Sequence, residues 1–163
     1  MIAHRTILKN AALAVAADAG ILAYCVEHFG RGLAINVGAY PNGVPEAKDS
    51  PWLWIRPKEE NDAVNADQTF TACFTVGGCV LGPSGEKVVI NELTPRTKEA
   101  NGVTVNGGNL IVEDLRDMIV AVLRDSMLGA PIVAVRRTEN DISHFPLEWA
   151  EFFIDFFEPA DLA

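Results

Sequence analysis

Gln68–Leu81, QTFTACFTVGGCVL, alternates along its whole length. Its even positions Phe70, Ala72, Phe74, Val76 and Val80 are apolar, while its odd positions Thr69, Thr71, Cys73, Thr75 and Cys79 are small and mildly polar. Successive side chains of a strand point to opposite faces, so this stretch predicts an antiparallel strand with one face on a core and a milder face opposite. Gly77-Gly78 interrupts the pattern where a bulge or a close backbone approach is expected.

Moving toward the N-terminus, Lys58 to Asp67 is acidic, with one Lys against Glu59, Glu60, Asp62 and Asp67. Before it, Trp52–Arg56 lies between Pro51 and Pro57 and reads as a second strand. The turn-rich Tyr40–Pro45 separates it from a short strand, Leu33–Val37. The stripe Leu8, Ala11, Val15, Ala19, Leu22, Val26 makes Thr6 to about His28 a helix, capped by Thr6 and stopped at Gly30. Gly20 costs that helix about 1 kcal/mol relative to Ala, which marks Asp18–Gly20 as the place for a kink or break.

Toward the C-terminus, Lys87–Ile90 suggests a short strand, and Asn91–Gly108 reads as a long loop of the kind that usually carries function. Asn109 then caps a helix with an apolar face of Ile111, Leu115, Met118, Ile119, Val122 and Leu123, ended by Gly129 and Pro131. Strands Ile132–Arg137 and Leu147–Phe157 flank a turn at Asn140-Asp141. In the last strand Ala150, Phe152, Ile154 and Phe156 suit a core, while Trp149, Glu151, Phe153, Asp155 and Phe157 alternate with them. This order predicts one α+β domain over residues 1–163, a mostly antiparallel sheet with two main helices packed on one face.

Thirteen Lys and Arg against twenty-two Asp and Glu give a formal net charge of −9. That excludes a strongly basic nucleic-acid binder. The excess is concentrated, with −3 in residues 58–67 and −5 in residues 145–163. The longest apolar run, Ala11–Ala17, is far short of the roughly twenty residues that span a bilayer, so no membrane partner is expected. Arg5 and Lys9 ahead of small apolar residues imitate a signal peptide, but the helical stripe runs past the would-be cleavage site in phase. Three cysteines with no CxxC fit a reducing compartment.

The candidate chemical constellations do not assemble. Cys25 and His28 have ligand spacing, but Cys73 and Cys79 stand roughly 20 Å apart on an extended strand and do not converge on one ion. Glu151 and Asp155 would lie about 13 Å apart, too far for a glycosidase pair. Ser143-His144 lacks a nucleophile elbow, and neither glycine pair matches a phosphate loop. No catalytic, cofactor or metal residues are therefore assigned. What stands out is apolar surface: Trp52 and Trp54 alternate with Leu53 and Ile55, and the strand bearing Trp149, Phe153 and Phe157 is apolar on both faces. Those aromatics lie either beneath a helix layer or at a subunit contact.

The Pro-flanked strand Ser50-Pro51-Trp52-Leu53-Trp54-Ile55-Arg56-Pro57, the Thr-rich strand, the long loop, the amphipathic helix and the entry Phe145-Pro146-Leu147-Glu148-Trp149 come in a recognisable order. The arrangement resembles the tail-terminator and tail-completion proteins of long-tailed bacteriophages and prophages, especially the lambda-type terminator. The resemblance implies a subunit of a six-fold ring that caps the tail tube, stops its polymerisation and offers the head-joining surface. Its partners would be further copies of itself, the tail tube protein and a head–tail connector protein, in the host cytoplasm during assembly and then in the virion tail. DNA would pass without specific binding. A domain of this length is about 40 Å across, and six in a ring leave a hole of similar width. On that reading Trp52, Trp54, Trp149 and Phe153 mark contacts, and Arg96 and Lys98 of the loop reach Glu59, Glu60 or Asp62 of a neighbour. Glu59, Glu60, Asp62, Glu151 and Asp155 would face the lumen. The alternatives are another neck or tail-completion component, or a small cytosolic binding module or enzyme with a pocket between sheet and helices.

Overall fold

A computed structural model describes residues 4–40, 43–61, 68–80, 96–98, 104–138 and 148–158. The elements are helices α1 (His4–Ala16) and α2 (Ala19–Phe29), strand β1 (Ala34–Val37), a 3₁₀ turn (Ala47–Asp49), strands β2 (Trp52–Asn61), β3 (Gln68–Gly78), β4 (Arg96–Lys98) and β5 (Thr104–Asn106), helix α3 (Gly107–Arg124), and strands β6 (Ile132–Arg137) and β7 (Glu148–Glu158). The main sheet has the order β1-β2-β3-β7-β6, with β1 parallel to β2 and every other pairing antiparallel. The fold is α+β, as the order of elements predicts.

The strand that opened the reading is the centre of the sheet. Phe70, Ala72, Phe74 and Val76 of β3 are fully buried, as are Ala150, Phe152, Ile154 and Phe156 of β7. Phe74 stacks on Phe152 with ring centroids 4.8 Å apart, and Phe70 on Phe156 at 6.0 Å. Leu53 and Ile55 of β2 complete this face. Against it pack Ile7, Leu8, Ala11 and Val15 of α1, Ile21, Cys25 and Phe29 of α2, and Val112, Leu115, Ile119, Val120 and Leu123 of α3. Each large side chain withdrawn from water there contributes about 1.5–3 kcal/mol. The same residues fill the space between the sheet and the described helices.

Several expectations change. Thr6 lies inside α1 and is not its cap, and α3 ends at Arg124, before Gly129. The expected stripe does not carry into α2: Ala19 is exposed, Leu22 and Val26 are 53% and 50% exposed, and α2 buries Ile21, Cys25 and Phe29 instead, because the chain bends by 69° between the helices. Asp18 causes the break: its carboxylate accepts from the Ile21 N–H at 2.8 Å and so starts a new helix, giving three helices among the described residues. Gly30 ends α2 in the left-handed conformation, φ 83°, and its N–H donates to Val26.

Next, β2 runs on through Pro57 to Asn61, well beyond Arg56, with its register shifting at Lys58. Proline is tolerated because β1 pairs only as far as Ile55, leaving Pro57 with a neighbour on one side. The region 91–108 is not one loop, since β4 and β5 pair as an antiparallel ribbon within it. Finally, α3 begins at Gly107, so Asn109 sits inside its first turn and is not its cap. The expected strand Lys87–Ile90 and turn Asn140-Asp141 lie outside the described residues.

Candidate functional site

All three helices lie on one side of the sheet, so the residues in the other phase face away from them. Trp149, Phe153 and Phe157 therefore do not face the described helices, because β7 presents Ala150, Phe152, Ile154 and Phe156 to them instead. Cross-strand register sets the rows of the opposite face. Asn36, Trp54, Thr75 and Glu151 stand side by side, followed by Arg56, Cys73, Phe153 and Arg136.

Aromatic rings and cations interlock on these rows. The Arg56 guanidinium lies 3.9 Å over the Trp54 ring, and the Trp54 indole N–H donates to the Gly38 carbonyl at 2.6 Å. Lys58 Nζ sits 3.9 Å from the centre of the Phe153 ring, and Arg136 lies 5.5 Å from the same ring. Such contacts each contribute about 0.5–2 kcal/mol and hold long cationic side chains flat on the sheet. Trp52 differs from its partner in the alternation: it is fully buried, edge-on to Trp149 at 4.9 Å. It reaches no surface and offers nothing for a neighbour to touch, while Trp54 and Trp149 are partly exposed.

The carboxylates of this face are paired. Arg56 donates to Thr75 Oγ1 at 2.9 Å and to Glu151 Oε2 at 3.3 Å, and the Thr75 hydroxyl donates to the same Glu151 oxygen at 3.2 Å. Asp155 accepts from the Thr71 hydroxyl at 2.6 Å and from Arg136 at 2.9 Å. Glu151 and Asp155 are thus not bare acids; each is offset by an arginine from another strand. Arg56, Lys58 and Arg136 against these two carboxylates leave the face close to neutral.

A shallow depression of about 300 Å³ opens among Arg56, Pro57, Lys58, Cys73, Glu151 and Phe153. Burial pushes the Cys73 thiol up to about 11, opposed by Arg56 and reinforced by Glu151. At neutral pH it remains a thiol, a poor nucleophile and a poor metal ligand. Cys25 lies in the core on the other side of the sheet. The face suits a contact surface: aromatic and arginine-rich, with its carboxylates already neutralised.

Lys58, Thr71, Thr75 and Arg136 belong to this face and were not singled out by sequence reasoning. Lys58 looked like one base in an acidic stretch, and Arg136 is brought to Asp155 only by the β6–β7 register. Arg96 and Lys98 fall on β4, and Glu59 and Glu60 stand opposite Thr71 and Phe70 in the β2–β3 register. The side chains of these four, and Asp62 altogether, lie outside the described residues, so their expected contact does too. Neither a protein-family model nor a curated protein matches the chain.

Proposed function

We propose that the chain is a structural subunit of a phage tail, of the tail-terminator kind. It forms a ring on the end of the tail tube, ends polymerisation and presents the surface that joins the head. The observation that carries this reading is the sheet face turned away from the described helices, on which the partly exposed Trp54 and the 8% exposed Phe153 are capped by Arg56 and Lys58 beside internally neutralised carboxylates. A neutral, aromatic, pre-ordered face is what a large protein contact requires, since the side chains lose little freedom on binding. The tail tube protein is its proposed partner at that face, and a head–tail connector protein docks on the assembled ring. With a net charge of −9, the ring lets duplex DNA pass without holding it.

Native mass spectrometry and negative-stain imaging, with the chain alone and with cognate tail tube protein, test the proposal. Six-fold rings, alone or on tube ends, are expected. A strict monomer at high concentration that also leaves tail tubes unaltered would overturn it.

A further inference from the structure

We propose that successive copies join by strand addition, the free edge of β6 in one copy pairing antiparallel with the free edge of β1 in the next. This rests on the ring reading above and names the contact that builds the ring.

Among the described residues, β1 and β6 each have a neighbour on one side only. On β1, Ala34 N–H is taken by Pro51 O, and beyond the strand end Gly38 N–H is taken by Ile55 O. The intervening backbone groups of Ile35 and Val37 point the other way, outward. A row of unpaired backbone groups is a template for another strand; AINV carries no charge or proline, and on β6 the arginines Arg136 and Arg137 and the register shift between Ile132 and Ala134 restrict which strand can add there.

Strand polarity makes the two edges match. One parallel and three antiparallel steps separate β1 from β6, so within a subunit they run in opposite directions. When a second copy is placed beside the first by a ring rotation, β6 meets β1 antiparallel, the more stable ladder. The two surfaces differ, which makes the contact heterologous, the kind that closes into a ring.

Side chains agree with that direction. The start of β6 then lies beside the end of β1, bringing Val133, 59% exposed, against Val37, 37% exposed. Next to the start of β6 lies Met127, 99% exposed on the turn that leads into it, and a groove of about 350 Å³ floored by Leu123, Ala130, Ile132 and Val135. Arg124 and Ser126 line the same groove, so it offers the arriving strand polar as well as apolar contacts. At the other end Arg137, bonded to Asp117 at 3.0 Å within its own subunit, comes to the region where α2 ends, with its C-terminal carbonyls and the largely exposed Glu27. Arg31, in that same region, keeps its charge while bonded to the carbonyls of Ser50 and Lys48, so this end contributes little and the apolar end carries the contact.

Cysteine cross-linking tests this directly. Val37 and Val133 are on opposite edges of a five-stranded sheet, roughly 19 Å apart, so a disulfide within one subunit is excluded. The native cysteines are buried. Under mild oxidation, in the presence of tail tube protein, a V37C/V133C double variant should give a ladder of covalent oligomers, and a mixture of V37C and V133C should give a dimer. Either single variant alone should stay monomeric. A dimer from V133C alone would overturn the proposal in favour of two identical edges meeting. Rings seen by imaging without a ladder would overturn the edge pairing and leave the ring reading intact, whereas no rings and no ladder would overturn both. Val133→Lys, at an exposed position, should keep the fold by circular dichroism and raise the concentration needed for assembly by about tenfold or more. Unchanged assembly would count against the proposal.

Discussion

Arg56 on β2 reaches across β3 to Glu151 on β7, 3.3 Å away, with the Thr75 hydroxyl bonded to both. Three adjacent strands are thereby tied together on the face away from the helices. Both side chains are about 30% exposed, 27% for Arg56 and 30% for Glu151, so the pair is neither a freely solvated bridge nor a desolvated one. Glu151→Ala is expected to lower stability by about 1–2 kcal/mol in urea denaturation. A double-mutant cycle with Arg56→Ala should show a coupling of about 1 kcal/mol that shrinks at high salt. Strict additivity would show that the two groups act separately.

Phe153 bears on both folding and assembly. It takes no part in the helix-facing core but is only 8% exposed, beneath Lys58 and Arg136. Phe153→Asp should therefore cost about 1–3 kcal/mol, read as a lower urea midpoint, and the subunit that stays folded should fail to form rings on tail tubes. A folded variant that still assembles would place Phe153 outside the contact.

Gly77 sits where the end of β3 passes close to β7. A Cβ there would collide with the Glu148 carbonyl oxygen and the Trp52 ring. Backbone and a buried indole have little room to yield, so Gly77→Ala should cost about 3 kcal/mol, read as a fall in the urea midpoint.

Asp18 starts α2 through its bond to Ile21. Asp18→Ala should cost about 1 kcal/mol, and Asp18→Asn much less because its side-chain oxygen still accepts that bond. Equal losses for the two variants would locate the effect in the carboxylate charge instead of the cap.

Burial pushes the thiols of Cys25 and Cys73 up to about 11 from an ordinary 9.0, and the Tyr24 hydroxyl up to about 12 from 10.0. Above pH 9 the unfolded chain gives up thiol protons that the folded chain keeps, so the stability these groups contribute is complete below pH 9 and declines as pH rises to 11. Urea midpoints measured from pH 7 to pH 11 should stay level and then fall, and a Cys25→Ala/Cys73→Ala variant should fall less steeply. At pH 8, thiol reagents should label Cys25 only as fast as the protein opens.

The sheet was legible in the sequence wherever alternation had a buried face to report. Phe70 to Val76 and Ala150 to Phe156 announce themselves because their neighbours on the strand are of a different kind. What could not be read depends on partners far away in the chain. Nothing near Glu151 or Asp155 signals an arginine; Arg56 and Arg136 meet them only after five strands have been ordered and registered. Gly20 marked the break near Asp18, but the change of face that follows it was not legible, because Ala19, Leu22 and Val26 continue the α1 stripe in sequence while the bend turns Ile21, Cys25 and Phe29 to the core. The ribbon at 96–106 was hidden by its length, since three-residue strands carry too little periodicity to separate from turn.

The central pairing of the sheet also governs how the chain can leave the ribosome. Gln68 pairs with Glu158 and Gly78 with Glu148, so every rung between β3 and β7 joins residues 70 to 90 positions apart. Until β7 has been synthesised, the β2–β3 hairpin carries an unfilled apolar face and an open edge at Phe70, Phe74 and Val76. The nascent chain must hold that edge of β3 open until the residues up to β7 have followed, 70 to 90 positions later, which makes formation of the β3–β7 ladder the expected slow step of folding. It also makes truncation anywhere before β7 a route to aggregation.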